Sequence, residues 1–134
     1  MNEITVGKLA KEAGINIETI RYYENIGLMP KPKRTESGYR IYSGNDLKRL
    51  LFIRRAKELG FTLKETAELL NIKVESKNTC GDVKRLAEKK IKNVEQKIND
   101  LKKIRDVLEK LVHQCVNEEI TKDECPILET IEVI

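Results

Sequence analysis

The sequence predicts a mainly α-helical fold. A small winged helix-turn-helix domain comes first, then a long helix that pairs with a second copy of itself, then a short loop and helix. Three observations carry this. Two short capped helical segments precede a stretch rich in Pro and Gly that cannot be helix. Residues 80 to about 115 repeat apolar side chains in heptads. The composition also changes abruptly between the two parts. Residues 1–71 hold 13 Lys/Arg and 9 Asp/Glu, whereas residues 72–134 hold 13 of each. Tyr22, Tyr23, Tyr39, Tyr42, Phe52 and Phe61, all the aromatics of the chain, fall in the first part, and Cys80, Cys115 and Cys125 fall in the second.

The first helix is read from "TVGKLAKEAG": Thr5 is a good N-cap, Gly14 a good terminator, and Val6, Leu9, Ala10 and Ala13 share one face. The second is read from "NIETIRYYENIG", with Asn16 as cap and Gly27 as stop. Two short helices joined by a tight turn fit a helix-turn-helix, and they equally fit an ordinary helical hairpin. In "LMPKPKRTESGYRIYS", Pro30 and Pro32 block helix, Gly38 supplies a turn and "YRIY" is β-prone. This reads as a hairpin wing carrying Lys31, Lys33, Arg34 and Arg40, with a solvated loop as the alternative. Ser43 with Asp46, and Thr62 with Glu65, form capping-box patterns that open two more helices, the first ended by Gly60 and the second running through Leu70. Residues 1–71 thus make a winged domain of four helices, and 72–79 a linker.

The segment 80–115 reads as one dimerisation helix. Its seam is Ala87, Ile91, Val94, Ile98, Leu101, Leu108 and Val112, crossing Arg105 at one position. Such a helix is about 50 Å long and strongly amphipathic. A coiled-coil homodimer covers its seam; folding back on its own domain is the alternative. Carried outward, the heptad reaches Cys80 at one end and Cys115 at the other, so the two thiols of one chain cannot share an ion. In an antiparallel dimer Cys80 of one chain meets Cys115 of the other. The loop 116–134 then delivers Cys125, with Pro126 opening a short helix. Three thiolates suit a soft ion. Each cysteine taken alone fits a buried small hydrophobe equally well. His113, the one histidine, is a possible fourth ligand, and Glu118, Glu119, Asp123 and Glu124 either offer oxygens or keep the loop solvated.

Composition narrows the function classes. The chain has 134 residues, 40% hydrophobic and 36% charged, which is enough for one modest core helped by oligomerisation. A net charge of +4 hints mildly at a polyanionic partner. No apolar run reaches a membrane span, and "MNEITVGKLAKEAG" lacks a signal-peptide core. A cytoplasmic protein with no membrane role is expected, in which thiols stay reduced. A thiol enzyme needs a base and an orienting group around its cysteine. His113 lies two residues from Cys115 with no apparent orienter, so no enzyme is expected.

The stretch "ITVGKLAKEAGINIETIRYYENIGLMPKPKRTESGYRIYSGNDLKRLLFIRRAKELGFTLKE" closely resembles the DNA-binding domain of MerR-type transcriptional regulators; "ETIRYYENIGL" and "GYRIY" are specific to it. The likeness continues through the long helix to "CP" and the aliphatics after it, and the cysteine layout resembles the metal-sensing branch, above all its mercury(II) regulators. The resemblance implies a homodimer with an antiparallel coiled coil on a promoter with an overlong spacer, repressing without metal and activating RNA polymerase by distorting the DNA when metal binds. It places Thr19, Arg21 and Tyr22 on the recognition helix, Tyr39 and Arg40 on wing phosphates, and Ile17 and Glu18 toward the bases, with Lys33 beside them on the wing. It makes Cys80, Cys115 and Cys125 the ligands of Hg(II), or alternatively of Cd(II), Pb(II) or Zn(II). The nine residues between Cys115 and Cys125 are one more than the mercury regulators usually have, which keeps cadmium and lead in contention. The paired cysteine and loop histidine of the zinc sensors are missing, copper(I) sensors lack the first cysteine, and iron–sulfur redox sensors need more cysteines. Oxidation of the thiols in a stress sensor is the remaining alternative.

Overall fold

The computed structural model describes residues 3–133; Met1, Asn2 and Ile134, at the two ends of the predicted segments, lie outside the described residues. The elements in chain order are helices α1 (Val6–Ala13) and α2 (Ile17–Asn25), strands β1 (Lys33–Arg34) and β2 (Arg40–Ile41), helices α3 (Gly44–Glu58), α4 (Leu63–Val74) and α5 (Cys80–Gln114), a 3₁₀ turn (Lys122–Glu124), and helix α6 (Pro126–Val133). The fold is mainly helical with a two-stranded wing, as the sequence predicts.

The helices begin where their caps stand. Thr5 accepts from the Lys8 amide and Asn16 from the Thr19 amide, and Ser43–Asp46 and Thr62–Glu65 are reciprocal capping boxes. The wing pairs Lys33 with Ile41 and Arg34 with Arg40 in antiparallel register. Its turn closes through Thr35, whose amide donates to the Tyr39 carbonyl at 2.8 Å, and Gly38 supplies the left-handed residue at φ +88°. Beyond the predicted hairpin, Ile4 pairs with Tyr42 through two amide–carbonyl bonds of 2.9 Å, so the segment before α1 extends the wing.

Residues up to Leu86 form one compact unit and residues from Ala87 a second, the division falling inside α5. The core of the first unit joins Leu9 and Ala13 of α1, Ile20 and Tyr23 of α2, Leu50 and Ile53 of α3, Leu70 of α4, and Leu28, Met29 and Tyr42 between them. Two arginines of α3 lock the ends of the shorter helices. Arg54 Nη1 donates to the Ala13 carbonyl at 3.0 Å and Arg49 Nε to the Leu28 carbonyl at 2.8 Å. Gly14 sits at φ +68°, and a Cβ there would run into the Arg54 guanidinium.

Two sequence expectations need correction. The fourth helix continues past Leu70 to Val74, because Asn71–Val74 contains no breaker, so the connection to α5 is shorter than 72–79. The long helix stops at Gln114, one residue before Cys115, whose amide turns back to the Val112 carbonyl at 3.2 Å. Arg105, which the heptad places on the seam, is exposed and pairs with Asp106 and Glu109. Leu111 is buried in the second unit, whereas Ile91, Ile98, Leu101, Ile104, Leu108 and Val112 are exposed.

Leu50→Ala is expected to lower folding stability by about 2–5 kcal/mol, the range for emptying a fully buried leucine site. Urea unfolding at fixed protein concentration checks it.

Candidate nucleic-acid interface and thiol site

Helix α2 has two unlike faces. Ile20, Tyr23 and Glu24 are buried against the core. Glu18, Arg21 and Tyr22 are exposed at i, i+3 and i+4, so they share the opposite face. Ile17 and Thr19 are half-buried beside them, Thr19 being held in the first turn by its amide bond of 2.8 Å to Asn16 Oδ1. The wing adds exposed Lys33 and Tyr39, the latter 74% accessible. Arg34 turns back on its own hairpin, donating from Nη1 to the Gly38 carbonyl at 2.8 Å. All of these belong to the first unit.

Arg40 is placed differently from a free wing cation. Its Nη1 donates to Glu24 Oε1 at 3.0 Å, and the Tyr42 hydroxyl donates to Glu24 Oε2 at 2.6 Å. The sequence reading missed Glu24. The signal was available: a carboxylate on the same stripe as Ile20 and Tyr23 must be buried, and a buried carboxylate needs partners. Burial, reinforced by the hydrogen bond to Glu24, pushes the Tyr42 hydroxyl up from the ordinary value of 10.0 to about 12. Burial likewise raises Tyr23, with a smaller effect from Tyr22.

The thiols stand at helix ends. Cys80 is the first residue of α5 and is exposed; Cys115 follows its last residue and is half-buried. Cys125 is half-buried where the 3₁₀ turn ends, and its carbonyl accepts the Glu129 amide at 3.1 Å, so it caps α6. All three are free. The loop between Cys115 and Cys125 is shaped by local turns, such as the Glu119 amide on Asn117 Oδ1 at 3.0 Å. The Thr130 hydroxyl of α6 lies 3.1 Å from Gln114 Oε1 at the end of α5. His113, Glu118, Glu119, Asp123 and Glu124 are all exposed. Among the described residues of one chain, no three His, Cys, Asp or Glu side chains come together as a metal site. The donors themselves are three sulfurs, the chemistry a soft ion selects.

Paired short helices with a basic hairpin beside them are the architecture of winged helix-turn-helix proteins. Comparison with known proteins adds the family. The family model described as MerR HTH family regulatory protein matches residues 4–72, and that described as MerR, DNA binding matches residues 47–111. The mercuric resistance operon regulatory protein of Bacillus cereus is 46% identical over 127 residues, covering 94% of this chain and 95% of that one. Among solved structures, a transcription regulator of Ralstonia metallidurans in complex with lead(II) superposes with a TM-score of 0.83 at 36% identity, covering 96% of this chain and 98% of that one. The dual-function regulator MerR of Bacillus megaterium in complex with mercury(II) does so with 0.74 at 40% identity, covering 96% and 99%. The chain belongs to the MerR family of helix-turn-helix transcriptional regulators, which are not enzymes. Among the described residues, no helix is long and apolar enough to cross a membrane.

The contribution of Tyr42 to folding stability is expected to be intact below about pH 10 and to be lost as pH rises toward about 12. The native state keeps the Tyr42 proton over that window while the unfolded chain releases it. In Tyr42→Phe this alkaline loss should shrink, as read by denaturant titrations on either side of the ordinary tyrosine range.

Proposed function

We propose that the chain is a metal-responsive regulator that binds promoter DNA as a homodimer and takes a thiophilic ion, Hg(II) foremost, in a site made of Cys80 from one subunit and Cys115 and Cys125 from the other. One observation carries this reading: the three free thiols are dispersed to helix ends in a single chain, while α5 leaves an apolar strip exposed for a partner. Two of those ends are helix N-termini, where a negative ligand atom is stabilised. Antiparallel pairing of α5 supports the arrangement, because it sets the beginning of one helix beside the end of the other. The relatives with mercury or lead in their names or structures favour a soft ion, and Cd(II), Pb(II) and, less favourably, Zn(II) are the competing effectors.

On the DNA side, Glu18, Arg21 and Tyr22, with Ile17 and Thr19, form the face that enters the groove. Lys33, Tyr39 and Arg40 reach backbone phosphates. A dimer presents two such faces, and RNA polymerase is the partner at the promoter. A spacer too long for polymerase is shortened in effect by bending and twisting, with the deformation energy serving as the switch. The ion needs only to favour one of two dimer conformations.

Competitive titration of the reduced protein with Hg(II), Cd(II), Pb(II) and Zn(II), followed through thiolate-to-metal ultraviolet bands, tests the reading. Each of Cys80→Ser, Cys115→Ser and Cys125→Ser is expected to weaken binding of the preferred ion at least tenfold, about 1.4 kcal/mol, with DNA affinity retained. Mixing Cys80→Ser with Cys115→Ser chains should restore one intact site per mixed dimer, since both substitutions then fall in the same site. No restoration would place the thiols within single chains. No stoichiometric binding of any ion would leave oxidation of the thiols as the signal.

A further inference from the structure

Glu24 is a buried carboxylate with no place in the sequence-predicted interface. Its side chain is 5% exposed and sits on the core-facing stripe of α2. Burial strips a carboxylate of hydration that only strong partners replace. Both partners come from the wing. Arg40 Nη1 lies 3.0 Å from Oε1, and the Tyr42 hydroxyl 2.6 Å from Oε2. Two positions apart on an extended strand, Arg40 and Tyr42 point to the same side, and that side grips one side chain of α2.

The guanidinium is planar and carries several N–H donors. Glu24 takes one nitrogen, and the Arg40 side chain remains 26% exposed. We propose that Glu24 is a positioning residue for DNA binding: it holds the Arg40 guanidinium so that its open edge meets a backbone phosphate at a fixed place relative to the exposed face of α2. This rests on Arg40 being a phosphate contact. The advantage is pre-organisation, since an arginine already held loses less freedom on binding. Charge alone predicts the reverse, because removing a carboxylate beside DNA lessens repulsion and tightens binding. The two accounts differ in sign.

The test uses the full chain and a mixed-sequence DNA duplex, whose binding reports phosphate contacts without the operator being known. Affinity is measured across salt concentrations for the wild type, Glu24→Gln, Arg40→Ala and the double variant. Arg40→Ala is expected to weaken binding and to reduce the slope of log K against log salt by about 0.9, the loss of one phosphate contact. Glu24→Gln is expected to weaken binding and lower the slope in the same direction, and to have no further effect in the Arg40→Ala background.

Weakening by Glu24→Gln in both backgrounds would mean a general loss of wing structure and would overturn the proposal. Unchanged or tighter binding of Glu24→Gln beside a weakened Arg40→Ala would overturn it while leaving the phosphate contact standing. Unchanged binding of Arg40→Ala would remove the contact itself, and the proposal with it. If Glu24→Gln does not fold, Tyr42→Phe carries the same test, since it removes one partner and leaves the carboxylate charge. It must weaken binding in the wild-type background and not in the Arg40→Ala background, and any other pattern overturns the proposal.

Discussion

A helix of 35 residues, about 50 Å long, carries an apolar strip that one chain leaves in water. Burying it is the main hydrophobic gain still open to the protein. The proposed assembly follows from this constraint. A second α5 covers the strip, antiparallel pairing sets unlike ends together, and cysteines stationed at those ends gain partners that no single chain provides.

The first unit answers a different constraint, the need to keep one face of α2 in water while its other face anchors the core. Short helices are marginal alone. Here α1 and α2 are secured by burial of Leu9, Ala13 and Ile20 and by Arg49 and Arg54, which reach carbonyls at the ends of their neighbours. Rigidity behind α2 is what lets Arg21 and Tyr22 stand exposed without drift. The wing is fastened twice, to α2 through Glu24 and to the segment before α1 through Ile4, although its strands are two residues each.

Local chemistry was legible in the sequence. Every cap from Thr5 to Thr62 was readable because a side-chain oxygen three residues before an amide acts within one turn. Pro30, Pro32 and Gly38 marked the wing by excluding helix. Tertiary pairing was harder to read. Glu24 finds Arg40 across 16 positions and Tyr42 across 18, and nothing local announces either partner. The end of α5 was read one residue long because Cys115 continues the periodicity while its backbone already turns. The thiol residues were evident from their scarcity. Which ion the proposed site would take was not, because three sulfurs suit several soft ions and the discriminating geometry would belong to the assembled dimer.

The connection from Val116 to Glu124 contains no buried residue, and its bonds are to its own turns. Nothing in either core registers its length. A residue can be gained or lost there without a stability penalty in α5 or in the winged unit, while the reach of Cys125 changes at once. In the proposed three-thiolate site, a change of length in this stretch alone would re-aim Cys125 toward a larger or smaller ion. A lineage of sensors can therefore diverge in what it detects while leaving intact the machinery by which it reads DNA.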